Sequence, residues 1–152
     1  MEKILVAFDG SEESKRALAD AIKLAKAFDC FLTIIHVAGQ TIVGPVISSS
    51  AATHSGESQG ALLPLPENMR NLMTKEALQS LSQAKEDVER LWHKIDFAIV
   101  FGDPAKEIVK EANKGYDLVV IGYRGVRSSI LSLGNVAEKV VKSSPCSVLV
   151  IK

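Results

Sequence analysis

Five short runs of consecutive or nearly consecutive apolar residues, each separated from the next by a helical pattern, constrain this chain more than any other feature. They are Ile4–Phe8, Phe31–Val37, Phe97–Phe101, Leu118–Ile121 and Val148–Ile151. A strand with one wet face alternates polar and apolar residues; a strand apolar at successive positions needs cover on both faces. The cover lies between the runs. Ala17, Leu18, Ala21, Ile22, Ala25 and Phe28 form an apolar stripe behind Ser11, an expected N-cap. A longer stripe, from about Glu67 to Lys94, carries Met69, Leu72, Met73, Ala77, Leu81, Ala84, Val88 and Leu91. A third helix has Asp103 as N-cap, Pro104 at the first helical position, Ile108, Val109 and Ala112 facing inward, and Gly115 at its stop. A fourth starts near Gly134 and ends by Ser144, before Pro145.

The order β-α-β-α-β-α-β-α-β with right-handed crossovers predicts an α/β fold, a doubly wound parallel sheet with helices on both faces. Ligands in such sheets sit beyond the carboxyl ends of the strands, where the strand order reverses. Asp9, Val37 and Gly122 stand at three such ends and are candidates for one crevice. The apolar pattern alone leaves the strand order open. At 152 residues the chain suits one domain, with an insertion at about 38–65. That connection holds Glu57 as its one charged residue, and it is too long for an ordinary turn. A mobile insertion is the plain expectation; Ile42, Val43, Val46 and Ile47 also give it apolar surface with which to dock or act as a lid.

The segment from Leu118 to Ala137, LVVIGYRGVRSSILSLGNVA, collects the parts of an anion site. Gly122, Gly125 and Gly134 let backbone approach a ligand, the last at a helix start whose free N–H groups favour an anion. Arg124 and Arg127 stand inside the segment, and neither Asp nor Glu occurs between Asp117 and Glu138. Turn geometry is the plainer explanation for the glycines, and solvation the plainer one for the arginines. Asp9 can accept from ribose hydroxyls or an adenine amino group, or can cap the helix after it. Glu12 and Glu13 at that helix start repel a phosphate there, and no Walker P-loop occurs.

Composition removes several function classes. With 18 basic and 18 acidic residues and a pI near 6.8, no global field draws the chain to nucleic acid or to a membrane surface. No apolar run approaches the ~20 residues of a membrane span, and the run after Met1-Glu2-Lys3 is shorter than a signal core, so the expected location is the cytoplasm. Cys30 and Cys146 fit neither a disulfide framework nor a metal motif and read as small apolar residues at strand starts. His36 reads as a packed strand residue; His54 and His93 are not placed beside a nucleophile. No catalytic residue and no metal ligand is expected. Phosphoryl transfer generally needs Mg²⁺ ligands and a positioned base, so the chain is expected to bind rather than turn over, with at most weak ATP hydrolysis.

Taken together, these segments resemble the universal stress protein family. Lys3-Ile-Leu-Val-Ala-Phe-Asp-Gly-Ser11 looks like its first strand and Asp-containing turn, and Ile34-Ile-His-Val37 like its second strand. Phe101-Gly-Asp-Pro104 looks like the entry to its third helix, and Pro145-Cys-Ser-Val-Leu-Val-Ile151 like its last strand. Gly122-x-x-Gly125 followed by Gly134-Asn135 is similar to the Gly-x-x-Gly-(nine residues)-Gly-Ser/Thr signature of its ATP-binding branch. Here eight residues, Val126 to Leu133, separate the last two glycines, and Asn135 takes the place of Ser or Thr. The likeness spans the chain except the Ala38–Leu65 connection.

The resemblance implies a five-stranded Rossmann-like sheet of order 3-2-1-4-5 that binds an adenine nucleotide, ATP or AMP, with or without Mg²⁺, and usually a homodimer. Carried over, Ala7, Phe8, Asp9 and the Val37 backbone line the adenosine pocket, Gly122 approaches the ribose, and Gly125, Gly134, Asn135 and Val136 meet the phosphates beside Arg124 or Arg127. The function it implies is a stress-response sensor or regulator; the alternative is a family member that binds no nucleotide and serves as a dimeric interaction module. The wholly apolar last strand, Val148–Ile151, would lie at a sheet edge, where pairing with a second copy is the simplest cover; a helix or loop over the edge is the other.

Overall fold

A computed structural model describes residues 1–39, 88–124 and 133–152. The strands β1 (Lys3–Ala7), β2 (Phe31–Gly39), β3 (Ile95–Gly102), β4 (Leu118–Gly122) and β5 (Ser147–Ile151) form one sheet of order β3-β2-β1-β4-β5, every pair parallel. The expected runs all became strands, with ends shifted by one or two residues. The helices are α1 (Glu12–Phe28), the last turn of α2 at residues 88–91, α3 (Pro104–Ala112) and α4 (Asn135–Ser143).

Two apolar clusters show how the sheet is wound. Ile4, Val6, Leu32, Ile34, Leu118 and Val120 pack under α1 and Val88 of α2 on one face. Leu5, Ala7, Ile35, Val119 and Ile121 pack under α3 and α4 on the other. Consecutive strand residues feed opposite clusters, which is why the runs lack alternation. Ile4, Leu5, Leu32 and Ile34 are wholly inaccessible, each worth about 1.5–3 kcal/mol of transfer free energy. The chain leaves β1 towards β2 but leaves β4 towards β5, so the order reverses between β1 and β4.

Local chemistry sets the helix ends. Ser11 is extended (φ −65°, ψ 160°) and its side chain accepts from Ser14 N–H, starting α1 as expected. Asp103 does the same for α3 through Lys106 N–H, with Pro104 following. The stripe of α1 is buried from Ala17 to Ala25, but Phe28 departs from it and is 54% exposed. The reason is Asp29, whose left-handed backbone (φ 51°) ends the helix at Phe28. Leu91 likewise stays exposed, whereas Val88 on the same expected stripe is buried. His93 lies past the helix end, its ring 4.8 Å from that of Trp92. Cys30 is buried just before β2 and Cys146 half-buried just before β5; burial pushes the Cys30 thiol up. Beyond Ala38 and Gly39, which extend β2, the 38–65 connection lies outside the described residues, as do residues 67–87 of the long helical pattern.

Candidate functional site

The crevice forms where β1 and β4 end side by side. Their register pairs Val6 with Val120, and two further residues set Phe8 level with Gly122. Ala7 and Phe8 are buried there, while Asp9 is exposed at the rim. Phe8 N–H still reaches the Ile35 carbonyl at 2.9 Å, and the Phe8 carbonyl meets His36 Nδ1 at 2.9 Å. In a parallel strand, alternate residues turn both backbone groups to the same neighbour. Ile35 faces β1, so Val37, two residues on, turns its N–H and C=O to the same side, past Ala7, where the β1 ladder has ended. A donor and an acceptor side by side at a crevice wall suit the edge of a heterocyclic base.

Among the described residues, α1 and α4 begin beside this crevice, after β1 and β4, and their first turns differ. At α1, Asp9 Oδ1 accepts from both Ser11 N–H (3.0 Å) and Ser11 Oγ–H (2.6 Å), and Ser11 Oγ accepts from Ser14 N–H (3.2 Å). Asp9 therefore braces the capping residue rather than capping the helix itself. Glu12 and Glu13 add negative charge, and the hydrogen bond and charge of Lys15 hold the Glu12 carboxyl below its usual range. At α4 the N-cap is Gly134, which has no side chain to cap the first turn. Gly134 N–H donates to the Tyr123 carbonyl (2.9 Å) and Glu138 N–H to the Gly134 carbonyl (2.9 Å). The amides of Asn135, Val136 and Ala137, the first helical residues, thus precede the first bond of the α4 ladder, behind a glycine rather than a capping side chain. A helix start of this kind carries about half a positive charge. Glu138 is in the same turn, held ionised by its 2.6 Å pair with Lys142.

The structure brings Ala7, Phe8, Asp9, Val37, Gly122, Arg124, Gly134, Asn135 and Val136 to the carboxyl edge of the sheet. Gly125 and Arg127 lie outside the described residues, as do Ser128, Ser129 and Ser132. Gly122 has a reason of its own. A Cβ there would stand 2.9 Å from Glu13 Cβ, 3.0 Å from the Glu13 carbonyl carbon and 3.1 Å from Ser14 N. The close approach it permits is that of α1. Arg124 is half-buried, its guanidinium carbon 5.2 Å from the centroid of the Tyr123 ring, with Lys152 Nζ 5.1 Å from the same centroid. Tyr123 was not legible as a site residue, because its part is played by its carbonyl on Gly134 and its N–H on the Ile151 carbonyl (2.6 Å). Among the described residues, no group of three His, Cys, Asp or Glu is placed to hold a metal ion, and no helix is long and apolar enough to cross a membrane.

Comparison with known proteins follows the same outline. The family model described as "Universal stress protein family" matches residues 1–152. Universal stress protein YxiE of Bacillus subtilis (strain 168) is 35% identical over 156 residues, covering 99% of this chain and 98% of that protein. A solved universal stress protein in complex with cAMP aligns at a TM-score of 0.69 and 23% identity, covering 99% of this chain and 97% of that one. The universal stress protein from Archaeoglobus fulgidus in complex with dAMP aligns at a TM-score of 0.68 and 20% identity, covering 100% and 98%. The two solved structures share the fold of this chain.

Proposed function

The chain belongs to the universal stress protein family, and we propose that it holds an adenine nucleotide, ATP or AMP, in the crevice between β1 and β4 and acts in a stress response by binding rather than by turnover. The observation that carries this reading is the glycine at the start of α4, Gly134 standing where α1 has Ser11 and α3 has Asp103. An anion at that turn can accept from first-turn amides that Gly134 does not cap, and Arg124 is within the same segment to add a charge-assisted contact. The Val37 backbone edge and the Asp9 rim supply the adenosine end. Two proteins of the same fold are described in complex with cAMP and with dAMP, and an adenine monophosphate unit is common to both ligands.

In this reading the protein is a cytoplasmic homodimer. Val148 to Ile151 of the edge strand β5 remain only half-buried in one copy, and strand pairing with a second copy covers them. A second reading, an interaction module without nucleotide, draws on Gly122. Its missing Cβ is already required by α1, so it does not count towards a ligand. Calorimetry with ATP and with AMP separates the two. Micromolar to sub-millimolar binding supports the nucleotide reading, and no heat at millimolar nucleotide supports the module.

A further inference from the structure

We infer that His36 is a positioning residue for the adenosine end of the crevice, its imidazole holding the Phe8 carbonyl and so fixing the turn that carries Asp9. The inference rests on the nucleotide reading above. The β1–β2 ladder pairs residues as far as Ala7 with Ile35. One residue later the Phe8 carbonyl is met by His36 Nδ1 at 2.9 Å. A carbonyl only accepts, so Nδ1 carries the proton of this bond. The ring thereby serves the last carbonyl before the turn, and Val37, whose backbone faces the same side, keeps its place in the crevice wall.

Phe8 is anchored by its buried side chain in the cluster beneath α1. Asp9 is exposed, and Gly10 adopts φ +83°, with nothing among the described residues within 4 Å of where a Cβ would stand. A glycine in that region gives the backbone freedom rather than constraint. The turn is held at both ends, by Ser11 on the Asp9 carboxylate and by His36 on the preceding peptide. Ile34, two residues before His36 on β2, lies in the cluster with Phe8 and Ile99, the latter paired with His36 across β3, so the ring rises from a rigid strand. Nothing in the residue string distinguishes such a ring from a packed one.

The test compares His36→Phe, which keeps a ring and removes the donor, with His36→Asn, whose side-chain amide can donate from near the Nδ1 position. AMP affinity is read by calorimetry, and thermal unfolding is followed without nucleotide. The expected result is a loss of about five- to tenfold in AMP affinity for His36→Phe, the weight of one hydrogen bond, with His36→Asn within about twofold of the unaltered protein. Equal AMP binding by His36→Phe, or equal losses in both variants, overturns the assignment while leaving the nucleotide reading standing. If the unaltered protein binds no AMP, both fall together. Should His36→Phe not fold, nitrogen NMR of the unaltered protein decides: a proton on Nδ1 supports the tether, and a bare Nδ1 overturns it.

Discussion

The starts of α1 and α4 flank the same crevice and share the same backbone polarity, yet one has a capping side chain at its N-cap and the other a glycine. Ser11 takes the spare amide of α1, Asp9 braces Ser11, and Glu12 and Glu13 place negative charge in the first turn. Gly134 offers α4 no side chain at all. The helix dipole is common to both, so it cannot choose between them. Side chains do. On the proposed reading a negatively charged ligand at this edge is turned from α1 and towards α4, while Gly122 also serves the seating of α1 against β4.

The largest expected effect comes from closing α4. Gly134→Asp supplies the missing cap and a negative charge, so ATP affinity should fall about a hundredfold as charge-assisted contacts worth about 1.5–3 kcal/mol each are lost. Thermal stability should hold or rise slightly, because Asp caps better than Gly. Calorimetry and an unfolding curve on one sample check both halves; unchanged affinity would remove the distinction drawn between the two helices. Gly122→Ala probes the α1 side. Its new methyl meets Glu13 and Ser14 backbone, and denaturant unfolding should show a cost of about 1–3 kcal/mol. Ser11→Ala opens α1 and should cost about 1 kcal/mol in the same assay.

The smallest effect should come from the opposite edge of the sheet. Asp117 accepts from Glu2 N–H (2.6 Å) and Lys3 N–H (3.0 Å), and these bonds hold its carboxyl below the ordinary range. A carboxyl depressed on folding adds stability above its unfolded value, near pH ~4, and loses it as the pH falls through the folded value. Asp117→Asn should therefore be slightly less stable at neutral pH, converge with the unaltered protein on acidification, and bind nucleotide unchanged. Urea titrations at several pH values test the convergence.

The layered fold was legible because burial on both faces of the sheet leaves a simple trace: consecutive apolar residues in strands and stripes in helices. The strand order was not written in that pattern and came through the family resemblance. Glycine and proline gave sharp helix ends at α3, whereas the end of α1 carries no such mark because Asp29, not glycine, takes the left-handed turn. At the site, Gly134 was read correctly as a helix start, since a bare backbone there has few other uses. The contact of Gly122 with α1, the His36 hydrogen bond and the Tyr123 backbone pairing were not legible. They depend on a helix passing within 3 Å, on one carbonyl left over where a ladder stops, and on backbone groups that any residue carries.

The most direct measurement is an amide NMR titration with ATP. Shifts at Asn135, Val136 and Ala137 that saturate together, with Ser11 to Ser14 far less perturbed, are the predicted result. Saturating shifts centred on Ser11 to Ser14, or none at either helix start at millimolar ATP, would contradict the assignment of the anion to α4.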